Sequence, residues 1–267
     1  MNLESIKPNK PSNFFEQKIK NEWNDIRPDF EDFEDLIGEI YTKKEFNRDK
    51  KKTKEKATKI GAISEFSRSG DYELAEDFEY SLMEAIQNFE WFGEQASISP
   101  ASHFDDFFRG TDFILAFKEG EDKYKYLAID ATISQQKEDI TEKEGRIYKN
   151  LDNGRMTEVK YFINDEDSDI RGRFKMPHAV VAFNPTAALE FKNILSKGRN
   201  LSFDDKKELM AIKNDIIVEI KAQLGQYIKH LDIGIKSKKG LADRRSLRVK
   251  KGQEEALKEY QNILNKF

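Results

Sequence analysis

The chain has 267 residues, enough for one large domain or two modest ones around a real core. Charged residues make up 36% and hydrophobic ones 37%, and 20 Phe, 9 Tyr and 2 Trp mark a folded, heavily charged protein rather than a disordered one. A formal net charge of −4 excludes a globally basic nucleic-acid coat but leaves room for a local basic surface, because the charges are segregated along the chain.

With no cysteine, disulfides, thiolate zinc sites and a cysteine nucleophile are excluded. Three scattered histidines, His103, His178 and His230, make no histidine-rich site, so any metal would take oxygen ligands. No apolar run approaches the roughly 18 residues of a membrane span. The start, MNLESIKPNKPSNFFEQ, lacks the apolar segment of a signal peptide, so the expectation is a cytoplasmic protein without a membrane partner.

Residues 12 to 41 read as helical pieces broken near Pro28, with Phe30, Phe33, Leu36, Ile37 and Ile40 spaced as one helix face. Residues 43 to 59 carry nine Lys and Arg against three acids, the pattern of a solvated helix or linker. From Asp71 to Phe92 a strong helix is predicted, because Leu74, Phe78, Leu82, Ala85, Ile86 and Phe89 fall on one arc. Glu79 sits at the edge of that arc, and Glu76 and Glu84 lie further round.

Two strands are then expected, Thr111 to Phe117 and Tyr124 to Ser134, joined by EGEDK into an antiparallel hairpin. A helix over 136 to 153 closes at Asn153-Gly154. Strand candidates at Glu158 to Ile163 and His178 to Phe183 flank an acidic loop that begins at Asp165. That loop resembles a calcium-binding loop in outline only, because Ile170 and Met176 stand where Gly and a bidentate Glu are needed.

After the Asn184-Pro185 cap the chain turns helical, over 186 to 197, 203 to 231 with Ser202 as N-cap, and 252 to 266. The last two are separated by KSKKGLADRRSLRVKK, residues 236 to 251, with eight basic residues and one acid. Three regions follow: a helical extension over 1 to 70, a mixed core over 71 to 184, and a helical region with its basic segment over 185 to 267.

Within the core, period two places Tyr126, Ala128, Asp130 and Thr132 on one face of a strand, and Leu127, Ile129, Ala131 and Ile133 on the other. A strand apolar on both faces is central and covered. An ionised carboxylate there is costly unless it meets a cation or hydrogen-bond donors, and the same holds for Asp112, flanked by Phe113, Ile114 and Leu115. One such aspartate would cap a turn or pair with a lysine. Two on adjacent strands, behind a helix with Glu79 at its core edge, form a constellation that a divalent cation holds together most simply.

An acidic helix, a hairpin with one acid per strand, then a helix and further strands resembles the PD-(D/E)XK superfamily of restriction-endonuclease-like nucleases, over residues 71 to 184. The resemblance implies an α/β (α+β) fold: a core of helix, three strands, helix and strand, built on a central mixed sheet of four to five strands flanked by helices. It also implies Asp112 of GTD and Asp130 of AIDAT as ligands of Mg²⁺ or Mn²⁺, with Glu79, or failing it Glu76, as the helix glutamate. The family's lysine two residues after the second acid is here Thr132. Lys137, Lys149 and Lys160 are the candidates to supply that ammonium, with Lys137 and Lys149 favoured because relocated lysines on the following helix occur in the superfamily.

The expected activity is metal-dependent phosphodiester hydrolysis of nucleic acid, DNA before RNA. The phosphate backbone would be held by the basic stretches at 43 to 59 and 236 to 251, with Lys236, Lys238, Lys239, Arg244, Arg245 and Arg248 in the second. Arg109 and Arg146 could reach phosphate or pair with surplus acids. The rival expectations are a catalytically silent relative binding nucleic acid or a protein, supported by Thr132, and a homo-oligomer formed through the long C-terminal helices. No Walker loop, GxSxG elbow or HExxH sequence occurs.

Overall fold

Strand β3 (Tyr124–Ile133) is central because both its faces are apolar. In the computed structural model, which describes residues 26–66, 70–120, 123–134, 136–164, 166–237 and 244–267, it lies between β2 (Phe113–Lys118) and β6 (His178–Phe183) in a sheet completed by β1 (Ala96–Pro100). The order is β1-β2-β3-β6, with the first two pairings antiparallel and β3 parallel to β6. The predicted hairpin forms with Phe113 opposite Ile129 and Leu115 opposite Leu127. A mixed four-stranded sheet among helices is the fold class the sequence leads one to expect.

Each face of β3 has its own cover. Phe113, Leu115, Leu127, Ile129 and Ala131 join a large core with helices α2 (Gly70–Asn88), α4 (Lys137–Asp152), α5 (Pro185–Leu195), α6 (Phe203–Ser237) and α7 (Arg244–Leu264). Ile114, Ala116, Tyr126 and Ala128 pack against Val159, Phe162 and Met176 of a second, two-stranded sheet, β4 (Thr157–Asn164) with β5 (Asp167–Met176). This hairpin is inserted in the connection between α4 and β6.

The sequence reading of this region needs four corrections. Much of the acidic stretch expected as a loop is strand β5, whose Ile170, Phe174 and Met176 face the four-stranded sheet. Residues 30 to 36 form a 3-10 helix, Phe30–Leu36, rather than an α-helix; its three-residue turn aligns Phe30 with Phe33 and buries both. The arc of α2 does not reach Phe89, which is 41% exposed. The helix ends at Asn88, and Glu90 at φ +48° turns the chain so that Trp91 and Phe92 enter the core instead. A short helix, α3 (His103–Arg109), and strand β1 had no counterpart in the expectation.

The N-terminal elements dock through an aromatic cluster. Phe30, Phe33, Tyr41, Phe46 and Phe104 surround Tyr161 of β4, with Tyr41 stacked on Tyr161 at 5.0 Å between ring centres. Helix α1 (Lys43–Phe66) starts beside this cluster. At the other end, α6 buries Ile216, Ile220, Leu224, Tyr227 and Leu231 inside its own chain, so its length serves the core. Among the described residues no helix is long and apolar enough to cross a membrane.

Candidate active site

Asp112 and Asp130 meet where β2 begins and β3 nears its end. The register that sets Phe113 opposite Ile129 brings Asp112 level with Asp130, and both are buried. The Asp112 N–H donates to the Ile129 carbonyl at 2.8 Å, while its Oδ2 accepts from the Ala131 N–H at 2.6 Å. That second bond ties the end of β2 to β3 and aims the carboxylate across the hairpin.

Burial raises the Asp112 pKa well above the carboxylate range, and Glu79, Asp130 and Asp106 add repulsion. Asp130 is raised too, by burial, against the opposing pull of Lys143 and Arg146. The Lys143 ammonium is bonded to Asp130 Oδ1, and Arg146 lies 3.8 Å from Oδ2. Gly110 borders the pair at φ +64°, and a Cβ there would stand 3.0 Å from Asp130 Oδ2 and 3.4 Å from the Arg146 guanidinium.

Glu79 projects from α2 into the same neighbourhood. Burial and then Asp106 push its pKa up to about 8, against the nearby guanidinium of Arg27. Arg27 is 4% exposed and bridges two acids, with NH1 2.7 Å from Asp106 Oδ2 and NH2 3.3 Å from Glu79 Oε2. His178, the first residue of β6, completes the surroundings. Burial, with Arg146 and Lys143 nearby, lowers its pKa to about 3, so it stays neutral.

The structure therefore brings Asp112, Asp130 and Glu79 into mutual electrostatic reach, and it adds Lys143, Arg146, Arg27 and Asp106. Of these additions the sequence singles out only Arg146. Lys143 was legible in principle: it lies one helical turn before buried Ile147, so the period of α4 turns it inward. Lys149 is two positions past Ile147, on the opposite side of α4, and is exposed rather than at the site. Lys137 opens α4, but its side chain lies outside the described set.

Lys160 belongs elsewhere. Its buried ammonium pairs with Glu45 and Asp49 of α1 and lies 5.4 Å from the Phe104 ring centre, so it fastens the N-terminal helix to β4. Arg109 makes a surface pair with Glu158 at 3.2 Å, and Glu76 is a half-buried member of α2.

The basic stretch 236 to 251 is divided between two helices. Lys236 is exposed and pairs with Asp232 at 2.5 Å, and Arg248 is exposed on α7. Lys250 is buried within 3.6 Å of Asp152 and is lost to any ligand. Lys238 and Lys239 lie outside the described residues, as do the side chains of Arg244 and Arg245.

The donor chemistry of Asp112 and Asp130, two buried carboxylates of which Asp130 raises the proton affinity of Asp112, fits a hard divalent cation such as Mg²⁺. Among the described residues, however, no group of three or more His, Cys, Asp and Glu side chains is gathered closely enough to hold a metal. The acids stand with cationic side chains between them. No protein family, curated protein or solved structure matches the chain.

Proposed function

We propose that the chain is a metal-dependent nuclease of the PD-(D/E)XK kind, hydrolysing phosphodiester bonds in nucleic acid, with DNA the first substrate to test. The observation that carries this reading is the pairing of Asp112 with Asp130 on adjacent buried strands, with the Lys143 ammonium bonded to the second acid. The element order α2, β1, β2, β3, α4, β6, with one short helix and one hairpin inserted, supports it as well.

In this reading Asp112 and Asp130 would hold a Mg²⁺ or Mn²⁺ ion, with Glu79, now paired with Arg27, as the further acid within reach. Such an ion, when bound, polarises the scissile phosphate and acidifies a water. Lys143 takes the place left by Thr132. Its ammonium, bonded to Asp130 Oδ1, is the group that would orient an attacking water, and Arg146, exposed beside Asp130, is the one that would face a substrate phosphate. The neutral His178 adds no charge that would compete for the metal.

The test is cleavage of duplex and single-stranded nucleic acid by the full chain with Mg²⁺ or Mn²⁺. Asp130→Ala should abolish cleavage with folding retained, and Lys143→Met should lower the rate by roughly 10²-fold or more. Cutting that persists in Asp130→Ala overturns the proposal. A second reading, a nuclease-fold protein that binds nucleic acid or a protein without cutting, is favoured by Thr132 and by the guanidinium already seated on Glu79. It predicts salt-sensitive binding and no cleavage with either metal.

A further inference from the structure

The sequence interleaves acids with lysines along α1, but the folded helix sorts them. Glu45 and Asp49 turn inward, where Lys160 is bonded to both and Arg173 reaches Glu45 at 2.7 Å. Thr53 is the last buried side chain of α1 among those described, and every residue from Lys54 to Lys59 is exposed. Over residues 54 to 59 the helix thus has no cover on any side, and with the turn before it carries Lys51, Lys52, Lys54, Lys56 and Lys59 in solvent, with Glu55 as the exposed acid among them. Glu55 lies 3.8 Å from Lys51, too exposed to neutralise it strongly.

We propose that this projecting half of α1 is an arm that grips the phosphodiester backbone of nucleic acid. Lys52, Lys56 and Lys59 follow one another at four and three residues, so they form a single stripe about 10 Å long. Compact ammonium groups along such a stripe attract successive phosphates without reading sequence. An acidic membrane is the poorer fit: a helix that lies on lipid needs an apolar face alongside its basic one, and over the lysine-bearing residues 51 to 59 the only apolar side chain is Ala57, with Ile60, Ile63 and Phe66 following after the last lysine. The net charge of −4 gives the arm a further role, since a locally positive projection is what lets an acidic body approach a polyanion.

The inference rests on the nucleic-acid reading above, and one experiment separates the two. Binding of the full chain to duplex and single-stranded oligonucleotides is measured without divalent metal across a salt series, for three proteins. These are the wild type, a variant with Lys51, Lys52, Lys54, Lys56 and Lys59 changed to Gln, and a control with Lys206, Lys207, Lys213, Lys221 and Lys229 changed to Gln. Glutamine keeps helix propensity nearly that of lysine, and circular dichroism verifies the fold.

The arm variant should lose at least tenfold in affinity, and its slope of log affinity against log salt should flatten by roughly 3–4. The control should keep most of both. Equal loss in the control, or an unchanged arm variant beside a binding wild type, overturns the arm and leaves the nuclease reading standing. A wild type that binds no nucleic acid overturns both. Wild-type binding to phosphatidylserine vesicles, but not to oligonucleotides, assigns the arm to membranes and rejects the proposal.

Discussion

Arg27 places its guanidinium between Glu79 and Asp106 in a space nearly closed to solvent. Removing it leaves two acids facing each other. Breaking a fully buried pair costs roughly 3–5 kcal/mol, and because both acids here keep some solvent contact we expect about 2 kcal/mol for Arg27→Met. Urea denaturation measures this, and the loss should shrink in a Glu79→Gln background, where one charge is already absent. Additive losses would refute the coupling. Gly110 makes a second prediction of the same size. Its φ of +64° strains any side chain, and a methyl group 3.0 Å from Asp130 Oδ2 would have to push that carboxylate aside, so Gly110→Ala should cost about 1–2 kcal/mol. It should also disturb the Asp130 carboxylate, visible as a shifted pH titration of that group by NMR.

At the scale of elements, β6 is the telling strand, because among the described residues only one of its edges is paired with a strand, namely β3. Its outer edge is met by α6: Gln223 accepts from the Val180 N–H at 2.9 Å and donates to the Val180 carbonyl at 2.6 Å. One turn earlier Glu219 accepts from the Ala182 N–H. These two side chains do for β6 what a further strand would do. Gln223→Leu leaves a buried N–H and C=O unpaired and should cost about 2 kcal/mol, read as a lower urea midpoint with an unchanged slope.

The same scale explains what the sequence could convey. Strands β2, β3 and β6 and helices α2, α5 and α6 announced themselves through long apolar periods and the Asn184 and Ser202 caps, both of which bond as expected. Strand β5 did not, because Gly172 interrupts its alternation and charged residues fill its outer face. Helix α3 is only seven residues long, and its signal was the Ser102 and Asp105 capping pair rather than any period. At the site, Asp112 and Asp130 were visible as charges inside apolar runs. Lys143 was hidden in a charged helix whose inward phase is set by Ile147 and Leu151, and Arg27 was invisible because its partners are brought to it only by tertiary packing.

For the whole molecule, pH connects these local features to stability. Burial raises Glu219 to about 7, so the folded state favours its protonated form. A carboxyl raised in this way stabilises the fold below its ordinary range, and that contribution is lost as pH rises from about 4.5 through about 7. Glu219→Gln removes the titration. Its stability relative to wild type should therefore be near its lowest at pH 5 and should climb by on the order of 1 kcal/mol by pH 8, discounted for the partial exposure of the side chain. Melting temperatures of both proteins at the two pH values provide the check, and a constant difference would refute the assignment.

The parallel pairing of β3 with β6 also has a consequence in time. Everything from Ser134 to Pro177, a helix and a complete hairpin, must be synthesised before β6 can appear beside its partner. Until then the strand destined for the centre of the sheet is a bare edge, long, apolar on both faces and carrying Asp130. Such an edge invites pairing with another nascent chain. The helix and hairpin are built from local contacts and can form first, which brings the two ends of the connection together before the late strand arrives. The inserted hairpin can thus cover one face of the forming sheet early, while the edge of β3 stays open until β6 arrives.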